Sequence, residues 1–417
     1  MTGAPKTAHV VGAGLAGLSA AVALTQAGYA VTLSEAARQA GGRCRSYRDP
    51  QLGLTIDNGN HLVLSGNPAV RAYLATIGAS ERLAGPEEAR FPFMHVGTGE
   101  RWVLHPNAGP IPWWLFSGQR RVPGTAPLDY LALARLMGAS ADQTIGQVLR
   151  PKGALWERLL DNFLVSALNT PAKDGSAALA GAIVRETLAR GGAACRPLIA
   201  EPTLAAAFVD PALAWLEARG ASIRLGRRLR AFEVADGRVT ALDFADGRET
   251  VAGEPIVLAV PAWVAADLIP GLVVPDRHHA IVNAHFLHPA PAGAAPITGV
   301  IGGTAEWVFA FPDRLSTTTS AADALAEEDR EAVARRLWAD VAKVHDLPAD
   351  LPRWQIVTEK RATFSATPGQ EKRRPGCRSS HDNLFLAGDW TRTGLPATIE
   401  GAIRSGRTAA AAVVNRD

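Results

Sequence analysis

Gly12-Ala13-Gly14-Leu15-Ala16-Gly17 fits the spacing G-x-G-x-x-G, and its flanks leave it little choice of structure. Ahead of it, "AHVVGAG" is a short apolar run of the kind a buried strand makes. After it, "LAGLSAAVALTQAG" is an Ala/Leu-rich helix stopped by Gly28, and "YAVTLSE" is a second strand ending at Glu35. Strand, glycine turn, helix and strand at this length predict a right-handed crossover and a parallel sheet. Gly12 permits the tight turn, Gly14 lets a pyrophosphate approach the backbone, and Gly17 lets the helix pack closely on the strand. The helix start, with Ala13, Leu15 and Ala16 beside the glycines, offers free N–H groups and partial positive charge to phosphate. Glu35, with Ala36 after it, lies about 20 residues on, where an acid bonds a ribose 2′-hydroxyl and repels a 2′-phosphate. The glycines alone are a weak signal. In register with a strand, a helix, Gly28 and Glu35, they predict a dinucleotide site.

Two further stretches narrow the dinucleotide. "GGRCRS" places Gly41, Gly42 and Arg43 after the second strand, where two glycines let the backbone bend around a dinucleotide and bring Arg43 to its diphosphate or ribityl chain. NAD sites do not need this element; FAD sites of the glutathione-reductase type often have it. Near the C-terminus, "LFLAGDWTRTGLPATIEGAIRSG" reads as a strand delivering Gly388-Asp389 and a helix starting near Pro396 or Ala397. Asp389 is placed to accept from ribityl hydroxyls, and the helix start at Thr398-Ile399 to face the flavin edge that gathers negative charge on reduction.

The remaining chain is long enough, at 417 residues, for a second domain. Residues 68–199 carry helical patterns ("PLDYLALARLMGAS", "ALWERLLDNFLVSAL", "SAALAGAIVRETLARG"). Residues 203–270 return to α/β, with Asp-Gly turns at 236–237 and 246–247 and the buried strand "PIVLAVP". Residues 271–375 mix strands with one charged helix at 327–345, read as a solvated face. The simplest arrangement interleaves a cofactor domain (1–67, 200–270 and 376–417) with a mixed α+β substrate domain (68–199 and 271–375).

A net charge of +3 gives no reason to expect nucleic acid. Cys44, Cys195 and Cys377 have neither metal nor redox spacing and read as packing residues of a reducing cytoplasm. No signal peptide and no run of about 18 apolar residues is visible, so the chain is expected to be cytoplasmic. It can still lie on the inner face of the membrane. "PIPWWLFSGQRRVPG" sets Trp113, Trp114, Leu115 and Phe116 before Arg120 and Arg121; such a stretch suits either a membrane interface or a tunnel lining.

Gly12–Gly17, Glu35, Gly41-Gly42-Arg43, Gly388-Asp389 and Ile399-Glu400-Gly401-Ala402 together resemble the flavin amine oxidase and phytoene desaturase superfamily. "DNGNHLVLSGN", "LVSALNTPAKDGSA", "EKRATFSATPGQEKRRPG" and "GDWTRTGLPATIEGAIRSG" are similar to one branch of it, the squalene-associated hydroxysqualene dehydroxylases. The resemblance implies FAD in an amine-oxidase-like fold. It implies hydroxysqualene as substrate and hydride transfer from reduced flavin N5 to an allylic cation, within an apolar, water-excluding tunnel. It further implies that Asn58, Gly59 and Asn60 lie beside the flavin, and that Leu229 and Ala259 join the cofactor site. His61 would protonate the leaving hydroxyl or hold the water that does; a purely structural bond to backbone or diphosphate is the alternative. Asp57 is expected to fix the loop. A carotenoid-type desaturase or amine oxidase, and a non-catalytic prenyl carrier similar to the Rab GDP-dissociation inhibitors, are the competing readings. No second G-x-G-x-x-G is visible, so the electron donor is open between an external reductase and free reduced nicotinamide.

Overall fold

A computed structural model describes residues 6–416. Its organising element is a five-stranded, all-parallel sheet in the order Ser222–Arg224, Ala30–Ser34, Thr7–Val11, Ile256–Leu258, Leu384–Leu386. Its strands come from the first, middle and last parts of the chain. They are short and apolar because both faces are covered. The helix Leu15–Gln26 is buried nearly all round. It lies between this sheet and the C-terminal helix Ile399–Val414, where Gly406 makes close approach possible. A methyl on Gly406 would lie 2.1 Å from the carbonyl oxygen of Ala16.

A second, seven-stranded sheet runs Trp354–Phe364, His278–Phe286, Leu315–Thr319, Trp307–Ala310, Ile297–Ile301, Phe91–His95, Arg101–Leu104. One pairing in it is parallel, Ile297–Ile301 with Phe91–His95; the others are antiparallel. Alternation gives it two apolar faces. Val282, Ala284, Phe286, Val300 and Val308 pack on the helix Arg330–His345. Phe93, Trp307 and Phe309 join the larger cluster with the helices Asp161–Leu168 and Ala177–Glu186. The 327–345 stretch, read as a solvated face, therefore has a buried stripe through Val333, Leu337, Trp338 and Val341.

The meander Leu229–Ala235, Arg238–Phe244, Gly247–Thr250 forms as expected. Its first turn has Asp236 and Gly237 both at positive φ (50° and 74°), the two-residue hairpin turn that twist favours. Phe244 pairs with Gly247, so the second turn is Ala245-Asp246, one residue earlier than read.

Candidate active site

The glycine loop is built as its spacing requires. A methyl on Gly17 would sit 1.8 Å from the carbonyl oxygen of Gly12, and one on Gly12 (φ 103°) would sit 2.4 Å from the carbonyl oxygen of Ala259. Ala259 closes this turn, its N–H donating to Val11 O at 2.7 Å. Gly14 differs: around its missing methyl nothing lies within 4 Å. No side chain caps the helix that follows. The first-turn N–H groups thus face open space, which fits an incoming diphosphate. The Gly41-Gly42 turn clasps this loop. Gly41 N donates to Ala13 O at 2.8 Å, and a methyl on Gly42 would touch Gly14 Cα at 3.3 Å.

Glu35 reaches the same loop. Its carboxylate accepts from Ala13 N at 2.7 Å and from Ala37 N at 2.8 Å, leaving other lone pairs on both oxygens for hydroxyls. Ala36 is exposed beside it. Ala13, Leu15 and Ala16 are buried in the loop and first helical turn, and Leu229 is buried at the start of its strand.

Arg43 and Asp389, 346 residues apart in sequence, form an ion pair at 2.7 Å. Arg43 also donates to Ala362 O at 2.5 Å, so it ties both termini of the cofactor region to the seven-stranded sheet. Asp389 is held by its backbone. The guanidinium of Arg374, with no exposed side-chain surface, donates to the carbonyls of Asp389 (2.9 Å), Leu395 (2.8 Å) and Thr391, to Thr393 Oγ1 (2.7 Å) and to Glu371 (2.6 Å). Gly388 (φ 150°) is needed because a methyl would strike the Trp390 ring at 2.3 Å. The C-terminal helix begins at Ile399, later than the sequence indicated, because the Thr398 side chain caps it by accepting from Gly401 N at 3.0 Å. Its first N–H groups are left for an outside acceptor. Buried Glu400 turns away and caps another helix, Pro68–Thr76, accepting from Ala69 N and Val70 N at 3.1 and 2.9 Å.

The loop before His61, expected beside the flavin, is tied to the second sheet by the side chains of Asn58 and Asn60. Asn58 Nδ2 donates to Glu359 at 3.2 Å, and Asn60 Nδ2 to Thr317 O and Thr318 Oγ1 at 3.1 and 3.2 Å. A methyl on Gly59 would lie 3.1 Å from Asn283 Nδ2, a tight contact with the second sheet. Asp57 fixes the loop, accepting from Ser46 Oγ (2.5 Å) and Leu204 N (2.9 Å).

His61 is surrounded by protein yet keeps accessible surface, and its ring makes no hydrogen bond among the described residues. Arg43, equally enclosed with 42 % of its side chain accessible, shares that character. Burial, and then the Arg43 charge, push the His61 pKa down to about 4. Roughly one ring in a thousand is then protonated at pH 7. The imidazolium expected as proton donor is therefore disfavoured; a neutral ring can still orient a hydroxyl or a water. Cys44 and Cys195 are buried thiols pushed up to about 12 by burial, which suits packing rather than chemistry.

The aromatic stretch divides. Trp114 is buried and meets Tyr130 edge-on at 5.1 Å, while Trp113 and Phe116 are 65 % and 71 % exposed. Ile111, Leu128 and Leu131 are exposed with them. Arg121 is committed to the loop itself, donating to Thr125 O and Leu115 O at 2.8 and 2.9 Å.

A two-ended nucleotide cradle, with open space at Gly14 and helix starts at Leu15 and Ile399, matches known proteins along nearly the whole chain. The model of the flavin-containing amine oxidoreductases matches residues 15–414. The chain belongs to that family. It is 50 % identical over 403 residues to the hydroxysqualene dehydroxylase of Zymomonas mobilis subsp. mobilis, covering 96 % of this chain and 97 % of the relative. It is 52 % identical over 408 residues to that of Rhodopseudomonas palustris, covering 97 % of each. Within the family it falls in that branch and is an FAD-dependent oxidoreductase. The solved cyclohexylamine oxidase of Brevibacterium oxydans IH-35A shares the fold at a TM-score of 0.68, with 16 % identity and 99 % of each chain covered.

Of the positions that matter, sequence reading missed Arg374, Glu400 as a cap, Asn283 and Gly406. Arg374 stands in "EKRRPG" among basic neighbours and looks like surface. Gly406 alone left a signal, a glycine inside a helix, which marks close backbone approach.

Proposed function

We propose that the protein removes the hydroxyl of hydroxysqualene reductively, giving squalene, water and oxidised FAD. Residues 1–67, 200–270 and 376–417 hold the cofactor, and 68–199 and 271–375 hold the substrate. Gly12–Gly17 and Arg43 serve the diphosphate side, Glu35 the ribose, and Asp389 with the Ile399 helix start the ribityl and ring side. When bound and reduced, FAD supplies a hydride. The protein's own task is to admit a long apolar chain, exclude water and orient one hydroxyl near His61.

The observation that carries this reading is one contiguous apolar cluster. Its buried members include Trp114, Tyr130, Leu164, Phe93, Trp307 and Trp390, the last next to Asp389 in sequence. An allylic cation survives only where water is kept away, and an amine substrate would ask for a more polar recess. Anaerobic incubation of photoreduced protein with hydroxysqualene should yield squalene. Reduction of oxidised flavin by a carotenoid or amine substrate, with no squalene formed, would reverse the reading.

Next in sequence to Trp114 and Tyr130 of that cluster, Ile111, Trp113, Phe116, Leu128 and Leu131 are exposed on the surface. We infer that this patch enters the headgroup region of a bilayer, from which the substrate is taken up. No described helix is long and apolar enough to span a membrane. Flotation with phosphatidylcholine vesicles should be lost in a Trp113→Ala/Phe116→Ala double variant, and flotation equal to wild type would discard the docking role.

A further inference from the structure

Departure of a hydroxyl needs a proton, since hydroxide is a poor leaving group. The groups already described do not hold one ready. Burial and Arg43 disfavour the charged form of His61, Asp57 is tied to Ser46 and Leu204, and Arg43 is paired with Asp389. Another carboxyl meets the requirement.

Glu306 opens the strand Trp307–Ala310 of the seven-stranded sheet. One oxygen, Oε2, is fixed by Ser166 Oγ at 3.1 Å and Ser320 N at 3.0 Å. Ser166 is itself oriented by Trp307 Nε1, which donates to it at 2.7 Å. The Ser320 side chain also interacts with the carboxyl, and the other oxygen, Oε1, is not sealed from accessible space. Like His61, the side chain is enclosed by protein yet keeps accessible surface.

Its place in the sheet relates it to the His61 loop. Glu306 N donates to Thr318 O at 3.0 Å. Thr318 Oγ1 in turn receives Asn60 Nδ2 at 3.2 Å and donates to Asn283 at 2.8 Å. Trp307 and Asn283 both pair with Thr318, from opposite sides; they are two strands, roughly 10 Å, apart. The neighbouring Trp307 belongs to the apolar cluster that reaches Trp390. Among its largest influences, the one charged group is Asp161 on the helix Asp161–Leu168, which is of like sign.

We propose that Glu306 is the acid that protonates the departing hydroxyl, with Oε1 as the donor atom. The assignment rests on the dehydroxylation reading above. The Oε1 proton passes to the substrate oxygen, the C–O bond breaks, and its electron pair leaves with oxygen as water. The allylic carbon takes a hydride, and with it two electrons, from the reduced flavin. Glu306 is left as carboxylate and regains a proton from solvent before the next turnover. Burial, opposed by the Ser320 and Ser166 hydrogen bonds and aided by Asp161, pushes its pKa up to about 7, so much of it carries a proton at neutral pH.

The test compares two substrates on anaerobically prereduced holoenzyme: hydroxysqualene, and its formate ester, whose leaving group departs without protonation. Glu306→Gln should bind FAD and hydroxysqualene as wild type does, yet lose at least about 100-fold in single-turnover squalene formation from the alcohol. It should turn over the ester within about fivefold of wild type. Glu306→Asp should fall between the two on the alcohol. In wild type, the alcohol rate should decline as pH rises through 7 while the ester rate stays flat. The infrared carbonyl band of a protonated carboxyl should disappear over the same range, and should be missing in Glu306→Gln. Equal loss on alcohol and ester would show a structural role and overturn the proposal, as would an unaffected alcohol rate or no titrating carboxyl band. Wild type that forms no squalene from either substrate would overturn the functional reading itself.

Discussion

Replacing Arg374 with methionine keeps a side chain of similar length in its slot and removes a charged fork that serves five acceptors. Three are backbone carbonyls, of Asp389, Thr391 and Leu395; the others are Thr393 Oγ1 and the Glu371 carboxylate. The residue is 1 % exposed and lies over the Phe364 ring at 4.9 Å, so water does not readily replace it. A hydrogen bond to a charged group contributes about 1.5–3 kcal/mol, and contributions within one network do not add. Breaking one buried charged network costs roughly 3–5 kcal/mol. That is a large share of the ~5–15 kcal/mol by which a protein is stable, and corresponds in a chain of 417 residues to a melting shift of roughly 3–6 °C. The damage should be concentrated on the 388–395 loop, which presents Asp389 to the cofactor. Flavin absorbance of the purified protein should fall well below one FAD per chain, and flavin release on heating should occur earlier than in wild type. Arg374→Lys should recover little, since one ammonium cannot reach five acceptors in a plane. An Arg374→Met protein with full FAD content and melting within about 2 °C of wild type would refute the anchoring argument.

Two glycines three residues apart should respond in opposite ways. Gly17→Ala drives a methyl to 1.8 Å from a backbone oxygen and should give insoluble protein or a collapsed melting transition, whereas Gly14→Ala meets no atom within 4 Å and should fold normally while losing FAD affinity, read by flavin titration of the apoprotein. Stability should also fall on acidification. His61 and His285 are held neutral, at about 4 and about 3, in both cases mainly by burial and further by Arg43 and Arg314 respectively. Their folded pKa values lie below the unfolded 6.5, so their contribution is intact above pH 6.5 and is lost as pH falls toward 4 and then 3. Urea midpoints measured from pH 7 to 4 should drop steadily, and a flat profile would contradict the neutral-histidine assignment.

What sequence alone determined is local in character. The G-x-G-x-x-G turn, Glu35 and the Gly-Asp and Glu-Gly-Ala elements impose backbone demands that neighbouring residues satisfy, so spacing reveals them. The flavin family and its branch followed from those residues and a few short stretches. Which side chains meet across the chain could not be read the same way. That Asn58 and Asn60 bind the second sheet through Glu359 and Thr318 left no mark in the sequence. Trp113 and Trp114 are identical neighbours in sequence, and packing against Tyr130 decided which was buried. Arg374, Glu400 and Glu306 are ordinary charged residues in sequence. Their significance comes from burial and from partners 14 to 331 residues away. Charge and hydrogen bonding act through space and through the local dielectric, and only the tertiary structure sets either one.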